Sequence, residues 1–188
     1  MPTGQAPRRD QLLDSIVLFL LTAILLFPLW RLNYLSNWTS IEATFIADGR
    51  MLRENWTHHL WQPLWYCGTR ADYVYPPGLR LCVACFSWLL HASFAHAYHI
   101  LIALFYPIGI AALYIFVRSC TGSRRAGWLA AAGVALISPC YLLAPEFRSD
   151  TPWRLHVLMA FGEGPHISSL SMLPLVWFGA WKRFRGGG

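Results

Sequence analysis

The segment Leu81–Val117 constrains the fold most, because no Asp, Glu, Lys or Arg occurs in it. The segment 11–30 has a single charged residue, Asp14, and the segments 126–145 and 164–181 have none. A membrane-spanning helix needs about 20 mostly apolar residues to cross ~30 Å of hydrocarbon. In lipid, segments that are apolar throughout can form all their backbone hydrogen bonds only as helices. The sequence therefore predicts an all-α, polytopic transmembrane helical bundle with about four spans.

The basic residues lie in clusters beside the apolar segments, and these clusters predict the orientation of the chain. Cytoplasmic loops of membrane proteins collect Lys and Arg. If the clusters at 8–9, 118–125 and 182–185 are all cytoplasmic, the amino terminus is cytoplasmic, and the loops 31–78 and 146–163 face the other compartment. Membrane topology then accounts for the net charge of +6, and no nucleic-acid partner is expected.

The longest apolar segment exceeds what one crossing requires. A continuous helix over 81–117 would measure about 55 Å. If 118–125 is cytoplasmic, this segment crosses once, with 97–117 as the second span after a short interfacial or re-entrant segment at 79–94. The alternative is a hairpin with a cytoplasmic turn near 91–96, which places 118–125 outside. The charge distribution favours the single crossing, so that spans 11–30, 97–117, 126–145 and 164–181 follow one another.

The first polar loop, 31–78, begins with an acidic amphipathic pattern. The sequence IEATFIADGRML predicts a helix lying along the membrane surface. Its two acids, Glu42 and Asp48, are six residues apart and do not share a strip of that helix. A carboxylate beside arginines near the bilayer can act as a base or hold a metal ion, whereas an acid on a solvated helix face has neither role.

The same loop continues with an aromatic tract, HHLWQPLWYCGTRADYVYPPG, at 58–78. Trp and Tyr prefer the headgroup layer, and the prolines and Gly68 interrupt helical structure. The tract, which includes Arg70, predicts either a semi-rigid, ring-lined wall suited to lipids and sugars or a plain aromatic belt.

The second polar loop, 146–163, contains candidate phosphate and metal ligands. Arg148 and Arg154 can hold a phosphate, and Glu146 and Asp150 can share a divalent ion with it. The alternative is mutual salt bridging among these four residues. His166, at the start of the last apolar segment, is either a polar interface residue or a ligand contact.

The order of these parts resembles the amino-terminal module of GT-C-type membrane glycosyltransferases. The resemblance extends from about Leu12 to Trp181 and rests on IEATFIADGRML, on YPPG, on the basic turn RSCTGSRRAG, on SPCY followed by EFRSD, and on GEGPHISSLSMLPL. It is closest to bacterial membrane proteins labelled 6-pyruvoyl-tetrahydropterin synthase-related, a label that we do not interpret as pterin chemistry.

This resemblance implies an enzyme of the bacterial inner membrane that transfers a sugar from a polyprenyl-phosphate carrier on the non-cytoplasmic face. By position in the family pattern, Glu42 corresponds to the catalytic base, with Asp48 as the second choice. Glu146 and Asp150 correspond to a site for phosphate or for a divalent cation such as Mg²⁺ or Mn²⁺, and the tract Tyr75-Pro76-Pro77 to the wall beside the carrier lipid.

Enzymes of this class have more spans and longer chains. We therefore expect this chain to be a fragment or one part of a split system, which can be inactive alone. The alternative function is a non-catalytic polytopic protein, either a degenerate fragment or a scaffold that binds lipid or a partner.

Overall fold

The structure of the protein is a computed structural model that describes residues 8–33, 40–63, 67–70, 77–136 and 153–186. These residues are mainly helical, which confirms the predicted all-α class. The helices are α1 (Arg8–Leu25), α2 (Glu42–Glu54), α3 (Gly78–Leu89), α4 (Phe94–Thr121), α5 (Arg124–Leu136), α6 (Trp153–Ala160) and α7 (Gly164–Gly186). In addition, 3-10 turns occur at Phe27–Trp30 and Trp56–His58, and β1 (Trp61–Gln62) pairs antiparallel with β2 (Thr69–Arg70).

Local sequence signals set the bounds of α4, which has 28 residues. The Ser93 hydroxyl accepts a hydrogen bond from the His96 backbone N–H at 3.1 Å and caps the start of the helix. At the other end, Gly122 adopts a left-handed conformation, and its N–H donates to the Arg118 carbonyl. The apolar segment 81–117 is therefore interrupted between α3 and α4, as both predictions for it require.

The length of α3 separates these two predictions. Its 12 residues measure about 18 Å along the helix axis, which is less than the ~30 Å needed to cross the hydrocarbon layer. This length fits a short interfacial or re-entrant segment better than one arm of a membrane-crossing hairpin, and the number of crossings stays a prediction.

Three buried tyrosines connect α4 to the elements around it. The Tyr98 hydroxyl donates to the Gly162 carbonyl at 2.9 Å, and the Tyr106 hydroxyl donates to the Ala135 carbonyl of α5 at 3.0 Å. The Tyr114 hydroxyl donates to the Asp14 carboxylate of α1. Each ring is almost completely inaccessible to solvent, and each polar tip finds an acceptor, as buried hydroxyls require.

Contacts along α4 also fix the directions of its neighbours. Gln11 of α1 lies beside Ser119, and Leu32 lies beside His99, so α1 runs antiparallel to α4. The bond from Tyr106 to Ala135, after the turn at Gly122, shows that α5 is antiparallel as well.

Helix α7 runs parallel to α4. A Cβ atom at Gly164 would lie 2.3 Å from the Tyr98 hydroxyl, and one at Gly109 would lie 2.4 Å from the Ser171 carbonyl oxygen. Further along, the rings of Phe116 and Trp177 are 6.0 Å apart. The two glycines let the helices approach closely, as small residues do between membrane helices.

These directions place all three basic clusters at one end of α4. Arg9 begins α1, Arg118 and Arg124 flank the turn after α4, and Lys182 to Arg185 end α7. We call this the basic end. The opposite end, which we call the polar end, carries α2, α3, the β1–β2 hairpin and the turn at 161–163.

Asp14 is buried at the basic end and joins three helices. Its Oδ2 atom accepts hydrogen bonds from Arg118 of α4 at 3.0 Å and from Arg124 of α5 at 2.8 Å. Its Oδ1 atom accepts a second bond from Arg124 at 2.7 Å, so the Arg124 pairing is bidentate. Two guanidinium groups therefore compensate the one charge of the first apolar segment, which makes its burial tolerable.

The element bounds revise several predicted segments. The first helix ends at Leu25 rather than at residue 30, because the chain turns through a 3-10 segment containing Pro28. The predicted loop 146–163 contains α6, and the last helix continues to Gly186 rather than ending at 181. For the predicted third span 126–145, the described part is α5, and 137–145 lie outside the described residues.

One helix among the described residues, α4, is both long enough and apolar enough to cross a membrane. Helix α1 carries charges in its first two turns, and the described part of α5 has 13 residues. The predicted set of four spans thus stays a prediction.

Candidate functional site

The two acids of α2 lie in different surroundings. The buried strip of α2 consists of Glu42, Phe45, Ile46, Gly49 and Leu52, so Glu42 faces the bundle. Asp48 is outside this strip and faces the β1–β2 hairpin. The prediction that the two acids do not share one strip is confirmed, and α2 packs against α3 and α4.

Glu42 forms a buried pair with His99 of α4. Its Oε2 atom is 2.7 Å from His99 Nε2, and the two side chains are 3% and 0% exposed. On the other side of the ring, His99 Nδ1 is 2.9 Å from the Leu32 carbonyl oxygen. His99 therefore bonds to two other parts of the chain, the first turn of α2 and the segment that follows α1.

The geometry fixes the proton count of this pair. A carbonyl oxygen only accepts hydrogen bonds, so His99 Nδ1 carries a proton. The contact between Nε2 and the carboxyl group then requires one further proton, either on Nε2 or on Glu42. In both cases the pair has no net charge, which is the form in which such groups are buried at least cost.

The turn 161–163 packs directly on the start of α2. The Ile41 N–H donates to the Phe161 carbonyl at 3.0 Å, and Tyr98 holds the Gly162 carbonyl from the other side. Gly162 has φ of 70°, and a Cβ atom there would lie 2.9 Å from the Glu42 Cβ atom. A glycine is thus required where the end of the second predicted polar loop meets the first.

Asp48 is half-buried between α2, the hairpin and α3. Its Oδ1 atom accepts a hydrogen bond from Gln62 Nε2 of β1 at 2.8 Å. Burial raises the pKa of the Asp48 carboxyl, against the opposing effects of the Gln62 hydrogen bond and the Arg80 charge.

Gly49 brings Arg80 into the surroundings of Asp48. A Cβ atom at Gly49 would lie 2.6 Å from Val83 Cγ1, so α2 and α3 touch at this point. The Arg80 Nε atom is buried and has no hydrogen-bond partner among the described residues. A carboxyl group with a raised pKa, that of Asp48, thus lies near a guanidinium group whose Nε donor is unused. We call Asp48 and Arg80 the candidate site.

The other predicted site residues are spread over the polar end or lie outside the described residues. Arg70 ends β2 and is exposed, and Pro77 is the exposed residue before α3. His166 is in the first turn of α7, where its Nδ1 atom contacts the Glu163 carboxylate. For Arg154 only the backbone, in α6, is described. Five predicted site residues lie outside the described part of the chain: Tyr75, Pro76, Glu146, Arg148 and Asp150.

The residues described here form no group of three or more His, Cys, Asp or Glu side chains that could hold a metal ion. The predicted divalent site at Glu146 and Asp150 remains a prediction, because both residues lie outside the described part.

Sequence reasoning missed His99, Gln62 and Arg80 as partners of the two acids. His99 is visible in the sequence only as a polar residue in an apolar helix, and its distance of 57 residues from Glu42 gives no pairing signal. Arg80 is in the first turn of an otherwise apolar helix, and the sequence gives no other sign that it has a polar neighbour.

No family model, curated protein or solved structure matches this chain. The assignment of a function therefore depends on the chemistry of the polar end.

We expect Glu42→Gln and Glu42→Ala to differ strongly in stability. Glutamine can donate to the free Nε2 lone pair of neutral His99 and keep the pair, whereas alanine leaves the buried imidazole without a partner. The alanine variant should lose about 3 kcal/mol of unfolding free energy, and the glutamine variant less than about 1 kcal/mol. Denaturant unfolding in detergent micelles measures both values. The matched control is Glu54→Gln, which changes an exposed glutamate of the same helix. An equal loss in both Glu42 variants would contradict the shared-proton interpretation.

Asp48→Asn should stabilise the protein at neutral pH. Because the pKa of Asp48 is higher in the folded than in the unfolded chain, the folded state binds this proton more tightly. The folded wild type therefore loses stability as the pH rises from about 3.8 through the folded-state pKa of Asp48. Above that pKa the loss stays constant. Unfolding free energies of the two proteins should be similar near pH 3 and should favour the variant at pH 7. The prediction would be contradicted if Asp48→Asn, compared with the wild type, were less stable at pH 7 than at pH 3.

Proposed function

We propose that this chain is a module of a membrane glycosyltransferase that uses a polyprenyl-phosphate-linked sugar at the non-cytoplasmic surface. The single observation that supports this most is the position of Asp48 and Arg80. They lie at the polar end, at the opposite end of α4 from every described basic cluster. If the basic end is cytoplasmic, the candidate site faces the other compartment.

The burial of Glu42 favours Asp48 as the base. Glu42 is almost inaccessible and already bonded to His99, so an acceptor hydroxyl has no approach to it in this arrangement. Asp48 is half-buried, and its raised proton affinity brings it closer to the range in which a carboxylate accepts a proton efficiently. In this proposal, Glu42 positions the start of α2, and Asp48 carries out the chemistry.

The reaction that follows is an inverting displacement. Asp48 accepts the proton of the acceptor hydroxyl as its oxygen attacks the anomeric carbon of the donor sugar. The bond from that carbon to the phosphate oxygen breaks, and polyprenyl phosphate leaves with the bonding electrons. Arg80 is suited to stabilise the phosphate, since guanidinium groups bind phosphate with charge-assisted hydrogen bonds.

Transfer activity tests this proposal directly. Membrane vesicles from cells expressing the full open reading frame are supplied with polyprenyl phosphates carrying radiolabelled mannose or glucose, and labelled products are counted. Asp48→Asn should lower the transfer rate at least about 100-fold, the usual effect of losing a general base. Glu42→Gln and the surface control Glu54→Gln should keep most of the activity. Undiminished transfer by the Asp48→Asn variant would contradict Asp48 as the base. If the wild type gave no more labelled product than vesicles without the protein, the non-catalytic scaffold would be the better hypothesis.

Cysteine labelling tests the proposed orientation separately. Cys67 lies beside the hairpin at the polar end and is exposed, and Arg125 is an exposed residue at the basic end. In a background without other cysteines, a membrane-impermeant maleimide should label Cys67 in intact cells. It should label an Arg125→Cys variant only after the cells are permeabilised. Labelling of both sites in intact cells would contradict a single crossing by α4.

A further inference from the structure

The β1–β2 hairpin has two different faces. In the antiparallel pairing, Trp61 is opposite Arg70 and Gln62 is opposite Thr69. Successive residues of a strand point to opposite faces, so Trp61 and Arg70 share one face and Gln62 and Thr69 the other. Gln62 is buried and bonds to Asp48, whereas Trp61 is 51% exposed. The hairpin thus contacts the candidate base on one face and presents an indole ring on the other.

The indole ring of Trp61 rests on Gly68. A Cβ atom at Gly68 would lie 2.2 Å from Trp61 Cζ2 and 2.8 Å from Cη2, so the six-membered ring lies against the glycine backbone. Gly68 has φ of 110°, a conformation that side chains rarely adopt. The backbone therefore supports the ring on one side, while half of the residue's surface stays open to a ligand.

A second exposed indole, that of Trp56, lies five residues earlier in the chain and has polar neighbours. Trp56 is exposed, and its ring lies 6.4 Å from the imidazole of His59. His58 is also exposed and bonds to the Thr57 hydroxyl through Nδ1. We call Trp56, His58, His59, Trp61 and Arg70 the indole platform.

The platform differs from the part of the polar end that suits lipid. At the end of α3, Trp88 is 68% exposed and is followed by two exposed leucines, Leu89 and Leu90. Such a continuous apolar surface fits the interior side of a headgroup layer. Along the chain from Trp56 to Trp61, hydroxyl and imidazole groups separate the two indoles, and Leu60 is the one aliphatic residue of this stretch.

We propose that the indole platform binds a saccharide. A pyranose ring has a face of C–H groups that can stack on an indole, and a rim of hydroxyl groups that both donate and accept hydrogen bonds. The platform offers matching parts, with open aromatic surface at Trp61 and Trp56 and hydrogen-bonding groups at His58, His59 and Arg70. Binding of the sugar needs no transferase activity, so the inference stands separately from the proposed function.

The location of the platform suggests which sugar it holds. Gln62 is adjacent to Trp61 in the chain and lies 2.8 Å from Asp48. A saccharide stacked on Trp61 and the candidate base Asp48 therefore lie on opposite faces of the same hairpin. If the proposed function is correct, this saccharide is a non-reacting unit of the acceptor, because the hairpin separates it from Asp48 and the donor sugar is held through its phosphate at Arg80.

Saturation-transfer NMR on the full chain in lipid nanodiscs tests the platform. The probes are an α-linked mannotriose and a β-linked cellotriose. For at least one of them, we expect saturation transfer to the C–H protons of a pyranose ring. Trp61→Ala should weaken binding at least ~10-fold, which corresponds to about 1.4 kcal/mol, and Trp61→Phe should retain part of it.

Two further variants show whether the platform itself binds. Gly68→Ala should displace the Trp61 ring and weaken binding as well, whereas Trp88→Ala, which removes an exposed indole outside the platform, should leave binding unchanged. The fold of each variant is checked by its unfolding midpoint. Two results would overturn the proposal: no saturation transfer to either probe, or equal binding by the wild type and Trp61→Ala. Quenching of Trp61 fluorescence by spin-labelled lipid to the same extent as Trp88 would also overturn it, because both residues would then lie in the membrane.

Discussion

The bundle depends on how α4 is held, and three buried tyrosine hydroxyls hold it. Tyr98, Tyr106 and Tyr114 are eight residues apart, so successive rings are turned by about 80° around the helix. Each hydroxyl therefore reaches a different neighbour, namely the turn before α7, α5 and α1. A buried hydroxyl without an acceptor is costly, so each bond specifies one arrangement of the neighbouring element.

This arrangement separates two kinds of acid in the same short helix. Glu42 is on the face of α2 that meets α4, where it bonds to His99, and His99 in turn bonds to the Leu32 carbonyl. Asp48 is on the other side, where the hairpin and Arg80 leave it partly accessible and raise its proton affinity through burial. A carboxyl group whose charged form costs stability because of burial is typical of a functional position. A buried, fully bonded pair is typical of a structural one.

The sequence predicts the helical class and most helix positions because continuous apolarity and turn residues are local signals. Ser93 and Gly122 define α4 through caps that are visible in the printed chain. The partners of the site are not visible in this way. Glu42 pairs with His99, which is far away in the chain, and Asp48 pairs with Gln62, which is in a strand. A periodic sequence pattern does not predict either pairing. For the proposed function, the sequence resemblance implies Glu42 as the base, whereas the burial of Glu42, known only from the packing, leads us to propose Asp48.

Asp14 has a consequence for how the chain is made. Its partners Arg118 and Arg124 come 104 and 110 residues later, so the ribosome completes the first helix long before either guanidinium exists. During that interval the Asp14 carboxylate lacks both guanidinium partners of the folded chain, so α1 is not yet held by its final ion pairs. Docking of the first helix is thus a late event in biosynthesis, completed when the turn between α4 and α5 emerges.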